Sequence, residues 1–251
     1  GTRNCYSATS ADQLPHMLAA LSMFGDALLM AVPDLDRTDY FLCLGANPLV
    51  SNGSIMTAPD MRGRLKALRA RGGKVVVVDP RRTETAEAAD RHLFIRPGTD
   101  ALLLLSLLHV IFSERLARPG RVAAFTDGLD ELEQVARDFS PDATAASTGI
   151  AAEEVRVLAR ELAAARGVVY GRVGLCTQEF GGLGAWLVYA LDLVLGQLDE
   201  PGGMMFTSPA VDLEPLTRSI GFEIGFDRYR SRVRGLPEFG GELPVVTLAE
   251  E

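Results

Sequence analysis

Short apolar runs alternate with helical periodicities along most of the chain. Tyr40-Phe41-Leu42-Cys43-Leu44-Gly45 is an apolar run ending in glycine and predicts a buried strand. Residues 62–71 follow as a helix, with Leu65 and Leu68 on one face, arginine and lysine on the other, and Gly72-Gly73 as its stop. Lys74-Val75-Val76-Val77-Val78-Asp79 is the clearest strand, with glycines before it and a proline after. A continuous β-branched run signals a strand covered on both faces, as in parallel sheets. His92-Leu93-Phe94-Ile95 predicts a third strand, 100–114 an apolar helix, Gly167-Val168-Val169-Tyr170-Gly171 a fourth strand and 184–197 a further helix. Over 151–166, Val155, Leu158 and Leu162 recur at helical spacing, and Gly167 closes the end. Glu153 and Glu154 fall in the first turn of that helix, where negative charge meets the positive end of its dipole. From 204 onward Gly, Pro and charged residues dominate, which predicts mostly loop.

Strands alternating with helices predict an α/β fold: a parallel sheet of Rossmann-like type with helices on both faces and a loop-rich C-terminal tail. The pattern divides the chain into an N-terminal helical or loop segment over 1–35, an α/β domain over 36–203 and a tail over 204–251. The 25 basic and 33 acidic side chains leave a formal charge of −8, which argues against a general nucleic-acid binder. Cys5, Cys43 and Cys176 are too few and too widely spaced for a disulfide framework or a zinc or iron–sulfur pattern. The longest apolar run, 101–112, is broken by Ser106 and His109 and is shorter than the ~20 residues a membrane-spanning helix needs. No signal peptide is visible, and the abrupt ends read as those of a piece of something longer.

In open α/β sheets ligands bind beyond the carboxyl ends of the strands. The first strand runs into Gly45-Ala46-Asn47-Pro48 and then Ser51-Asn52-Gly53-Ser54. Such a turn can hold a phosphate or sugar, or it is an ordinary turn with Ser51 or Ser54 as a helix cap. The second strand ends in Asp79-Pro80-Arg81-Arg82-Thr83. An aspartate there can accept hydrogen bonds from a ribose or a guanine edge, and the arginine can fork onto a phosphate; the bland reading is an Asp–Arg surface pair. After the third strand, Arg96-Pro97-Gly98-Thr99-Asp100 offers either a second polar edge or a helix cap at Thr99 or Asp100. The fourth strand opens into Gly171-Arg172-Val173-Gly174-Leu175-Cys176-Thr177-Gln178, where glycine permits close approach to a flat ligand and Gln178 offers both a donor and an acceptor. Four polar strand ends in succession describe a nucleotide-shaped ligand. A simple NAD site does not fit: Gly-x-Gly-x-x-Gly is missing, and Asp79 lies 34 positions after Gly45, where that fingerprint expects about 20.

Gly-Ala-Asn-Pro, Val-Val-Asp-Pro-Arg-Arg-Thr-Glu-Thr-Ala, Arg-Pro-Gly-Thr-Asp and Gly-x-x-Gly-x-x-Thr-Gln, in that order, followed by Pro-Gly-Gly at Pro201, resemble the molybdopterin oxidoreductases of the dimethyl sulfoxide reductase and formate dehydrogenase superfamily. The resemblance runs from about Asp36 to Met205. It implies a bis-molybdopterin guanine dinucleotide cofactor carrying molybdenum or tungsten, and two-electron redox or oxygen-atom transfer on a small substrate. It places Asn47 and Ser51, beside Gly45, at phosphate or pterin. It places Asp79 at the guanine edge, Arg81 near a phosphate, Gly98 and Asp100 around guanine and ribose, and Gly174 and Gln178 by the pterin. It also implies further domains of the same polypeptide, and possible electron-transfer subunits. A 4Fe-4S cluster is expected only in an N-terminal domain not present here. The metal ligand would come from Asn4-Cys5-Tyr6-Ser7-Ala8-Thr9-Ser10, with Cys5 suited as a soft thiolate and Ser7 as the alternative.

The substrate is not written in these residues. Cytoplasm is favoured as the compartment, with periplasmic export the alternative. A non-catalytic module of a larger redox complex and a nucleotide-binding α/β enzyme of another kind remain as rival readings. His16, His92 and His109 read as packed histidines, Cys43 as a small buried hydrophobe, Cys176 as packing, and Trp186 as core. Arg228, Arg230, Arg232 and Arg234, with Arg218 apart from them, read as a solvated face or as contacts to another domain.

Overall fold

The computed structural model describes residues 2–212, 215–216, 219–220 and 225–251, so Arg218 lies outside the described residues. In chain order the first elements are β1 (Tyr6–Ser7), α1 (Leu14–Phe24), β2 (Ala31–Pro33), β3 (Tyr40–Leu44), α2 (Pro48–Ser51) and α3 (Met61–Ala70). Then come β4 (Lys74–Val78), α4 (Glu84–Ala88), β5 (Arg91–Leu93), α5 (Asp100–Ser113), α6 (Leu129–Ala136), α7 (Pro141–Thr148) and α8 (Ala152–Ala164). The last are β6 (Gly167–Gly171), α9 (Val173–Cys176), α10 (Gly181–Val194), β7 (Met204–Phe206), β8 (Phe226–Arg230), β9 (Pro237–Phe239) and β10 (Leu243–Pro244).

The central sheet is parallel, with the order β5-β4-β3-β6. Tyr40 lies opposite both Lys74 and Gly167, and Leu44 opposite both Val78 and Gly171, so the carboxyl ends of β3, β4 and β6 finish level. The chain leaves β3, steps outward through β4 and β5, and then crosses back to place β6 on the other side of β3. Right-handed crossovers in both directions put α3 and the helices after β5 on opposite faces. The order therefore reverses between β3 and β6, and a crevice opens there.

Burial explains the strands. Every residue of β3 and β6 is buried, as are the four valines of β4. The helix α5 is apolar almost all round because α6, α7, α8 and α10 pack against it. At the β6 edge of the sheet, Asp192 of α10 is fully buried, and its Oδ1 accepts the Val169 N–H of β6 at 2.9 Å. Burial pushes that carboxyl well above the usual carboxylate range. His109 of α5 donates from Nδ1 to the Ala136 carbonyl at 3.0 Å, a packed histidine with one hydrogen bond.

The expected elements recur with shifts. The third strand is Arg91–Leu93 rather than 92–95: Phe94 is 59% exposed while Ile95 turns back into the core. The helix expected at 184–197 begins at Gly181 and ends at Val194, because its glycine-rich start packs against Leu175 and Cys176 instead of forming loop. The tail is not loop throughout. β7 pairs antiparallel with β2, β10 pairs with β1, and β8 and β9 form a hairpin with a register shift. These strands are short, and β8 is largely exposed, so no continuous apolar run announces them. The four tail arginines meet carboxylates: Arg228 with Glu238, Arg230 with Asp227, Arg232 with Glu251 and Arg234 with Glu250.

Candidate functional site at the strand ends

Gly45 follows β3 with φ +54°. Its N–H continues the sheet by donating to Val78 O at 3.0 Å, and its carbonyl accepts the Gly174 N–H at 2.8 Å. A Cβ on Gly45 would stand 2.4 Å from the Leu175 nitrogen, and one on Gly174 would stand 2.9 Å from the Gly45 Cα. Two main chains touch at the point where the strand order reverses, which only glycine at both positions allows.

Above this contact lies a cleft of about 300 Å³. Gly45, Asn47, Ser51, Asp79, Arg81 and Gly174, all expected from the sequence, line it together with Ser54 and Arg172. Asp100 and Gln178 adjoin it: Gln178 Nε2 donates to Asp100 Oδ2 at 2.8 Å and to the Gly174 carbonyl at 3.2 Å. Burial pushes the Asp100 carboxyl above the carboxylate range; the Gln178 hydrogen bond opposes this, and the charge of Asp79 adds to it. The two aspartates therefore share one electrostatic neighbourhood.

Other expected residues fall elsewhere. Gly98 sits in an exposed turn with φ +86° and open space where a Cβ would be, so its place is the turn before α5. Cys5 is exposed, its carbonyl accepts the Leu243 N–H at 2.7 Å, and it does not line the cleft. The Ser7 hydroxyl donates to Glu242 at 2.5 Å. Among the described residues no group of three or more His, Cys, Asp or Glu side chains is arranged to hold a metal ion. Burial pushes the Cys43 thiol up, and that of Cys176 up to about 12, so both are inert packing residues.

Neither Ser51 nor Ser54 caps α2; Asn47 occupies the cap position without capping. Thr99 likewise makes no side-chain cap for α5, and the Asp100 carboxylate turns to Gln178. Asp79 makes no ion pair with Arg81: its carboxylate accepts the Arg81 backbone N–H at 2.8 Å, which shapes the turn after β4.

Asn47 is more committed than the sequence suggests. Its Oδ1 accepts from the Thr85 N–H at 3.2 Å and the Thr85 hydroxyl at 2.7 Å, and its Nδ2 donates to Glu84 at 2.7 Å. The side chain thus ties the end of β3 to the start of α4. Asn47→Ala is expected to lower stability by ~1–3 kcal/mol, because buried Thr85 loses its acceptor. Urea unfolding measures this, and an unchanged midpoint would show that the tie carries no energy.

The sequence reading passed over Arg172. It is 6% exposed; Nε donates to Ser54 Oγ at 2.8 Å, and Nη2 donates to Asp12 Oδ1 at 2.8 Å. Its Nη1 is buried without a partner among the described residues, and so is Gln178 Oε1. The available signal is a charged residue directly after a fully buried strand. Behind it lies His16 of α1, 3% exposed, with neither ring nitrogen in a hydrogen bond of good geometry. Burial, followed by the nearby Arg172 charge, lowers its pKa to about 4; the Gly171 backbone and Asp12 pull weakly the other way.

Comparison with known proteins accounts for this arrangement. The sequence model described as molybdopterin oxidoreductase matches residues 1–199. Formate dehydrogenase H of Escherichia coli (strain K12) is 32% identical over 145 residues, covering 58% of this chain and 19% of that protein. A nitrate reductase of Symbiobacterium thermophilum is 30% identical over 205 residues, covering 74% of this chain and 26% of that protein. Acetylene hydratase from Pelobacter acetylenicus superposes with a TM-score of 0.71 at 26% identity, over 83% of this chain and 28% of that one. The chain thus spans about a fifth to a quarter of the length of these curated relatives. The sequence motifs, the parallel sheet and the family match agree: the chain belongs to the molybdopterin oxidoreductase family, whose cofactor is a molybdopterin.

Proposed function

We propose that this chain holds one guanosine-nucleotide arm of a bis-molybdopterin guanine dinucleotide carrying molybdenum or tungsten, as part of an oxidoreductase acting on a small substrate. The supporting observation is the cleft at the strand-order reversal. Its floor is main chain, and beside it stand two buried polar atoms without partners among the described residues, Arg172 Nη1 and Gln178 Oε1. Buried polar groups normally have partners, and a polar ligand supplies them here, so the residues fit the group.

In this reading Asp79 accepts the N–H edge of guanine. Ser51 and Ser54 offer hydroxyls, Arg81 offers a phosphate contact, and Gly45 and Gly174 let a flat ring approach the backbone. Asp100 orients Gln178, whose free oxygen accepts from the pterin. When bound, the metal supplies the two-electron or oxygen-atom chemistry, and the protein's part is to hold and orient the cofactor. Cys5 stays the proposed metal ligand. The remaining length of the relatives supports further domains of the same polypeptide. The relatives include a dehydrogenase, a reductase and a hydratase, so this portion does not decide the reaction.

Calorimetry of the chain with GDP, ADP and NADH tests the reading. GDP is expected to bind preferentially, and Asp79→Ala to weaken it about tenfold, the value of ~1.4 kcal/mol in hydrogen bonding. Equal binding of ADP, or binding of NADH alone, would overturn it.

A further inference from the structure

One end of the cleft carries Asp79 beside an exposed arginine, Arg81, and the other carries a buried arginine, Arg172. Asp79 stands at the end of β4 and Arg172 directly follows β6; these strands flank β3 on either side. Two strand spacings separate them, roughly 10 Å. A ligand that fills the cleft meets Asp79 and Arg81 at one end and the Arg172 guanidinium at the other.

The guanidinium is fixed in place. Ser54 holds Nε and Asp12 holds Nη2, each at 2.8 Å, so two of its three nitrogens are taken and the plane cannot rotate. The Arg172 side chain is 7% exposed, while that of Asp12 is 50% exposed. Water screens the Asp12 charge more than the Arg172 charge, so the pair leaves net positive potential on the cleft side. The third nitrogen, Nη1, is buried and has no partner among the described residues. An unpaired donor on a buried cation is costly, and a charge-assisted bond to an anionic oxygen removes that cost. Neutral His16 lies behind it and brings no competing charge.

We propose that Arg172 is a ligand-binding residue that anchors a phosphoryl oxyanion through Nη1, with Asp12 and Ser54 as its positioning residues. This rests on the nucleotide reading above, in which Arg81 is the one charged residue assigned to a phosphate. Arg81 is 66% exposed at its side chain and has only a long 3.9 Å approach to Glu84, so it is the weaker anchor. The role also gives the N-terminal segment a function. Asp12 comes from the turn before α1, and that turn then sets the geometry of an anion site formed by the far end of the sheet.

The test is calorimetry on the 251-residue chain with GDP, guanosine and inorganic pyrophosphate as probes, comparing wild type with Arg172→Gln. The expected result is at least a tenfold loss of GDP affinity in the variant with guanosine affinity unchanged. Unchanged GDP affinity would overturn the proposal, and so would an equal loss for GDP and guanosine, which marks a merely structural role. Arg172-dependent binding of pyrophosphate without any binding of GDP would uphold the oxyanion anchor, assign it to a free anion and reject the nucleotide reading. If Arg172→Gln does not fold, Arg172→Lys decides. Lysine keeps the charge but cannot satisfy three directions at once. Weaker GDP binding with unchanged guanosine binding supports the anchor, and wild-type GDP binding overturns it.

Discussion

Gly45→Ala is expected to destabilise the chain by more than about 3 kcal/mol, whereas Gly98→Ala costs only ~1 kcal/mol. Both glycines have positive φ, +54° and +86°, so both substitutions carry the left-handed penalty of an L-residue. They differ in what the new methyl group meets. At Gly98 it enters open space, and at Gly45 it lands 2.4 Å from a backbone nitrogen and 2.7 Å from a backbone carbon. Main chain cannot swing aside as a flexible side chain does, so β3 and the loop after β6 must part. Urea unfolding of the two variants side by side isolates the clash from the backbone penalty. Equal losses would mean that the contact between Gly45 and Gly174 is not as close as described.

Acidification is expected to remove about 3 kcal/mol through His16. Its pKa falls from 6.5 in the unfolded chain to about 4 in the folded one, and each unit of difference corresponds to ~1.4 kcal/mol. The folded state therefore binds fewer protons than the unfolded state between those values. The stabilisation is complete above pH 6.5, declines as the pH falls, and is gone below about pH 4. The ring is only 3% exposed, so solvent screens little of this. Asp192 acts with the opposite sign, because a carboxyl held above its usual range favours the folded state on acidification. Subtracting a His16→Gln variant, which cannot take up the proton but keeps Asp192, removes that contribution. The stability difference between wild type and variant should shrink by about 3 kcal/mol from pH 7 to pH 4. Parallel curves would show that His16 is not held neutral.

The sequence was most informative where burial is complete. The valines of β4 and the apolar run of β3 specify a strand covered on both faces, and the level strand ends follow from their pairing. Six of the residues read from the strand ends line one cleft, because a parallel sheet delivers every such end to the same edge. Other features depend on contacts between positions far apart in sequence. Nothing local tells that Asn47 will be taken up by Thr85, or that Asp12 will reach Arg172 across 160 positions. The tail strands were illegible for a different reason. Two to five residues paired at a solvent-facing edge need no apolar run, and Phe226–Arg230 shows none.

The contact between Gly45 and Gly174 bears on how such a site can diversify. Where main chain forms the floor, there is no side chain to exchange, and any larger residue closes the gap instead of reshaping it. Selectivity among ligands must therefore be adjusted at the walls, through Asp79, Arg172 and Gln178, while the base stays the same. A site built this way can change what it recognises without changing how deeply it lets a planar molecule settle.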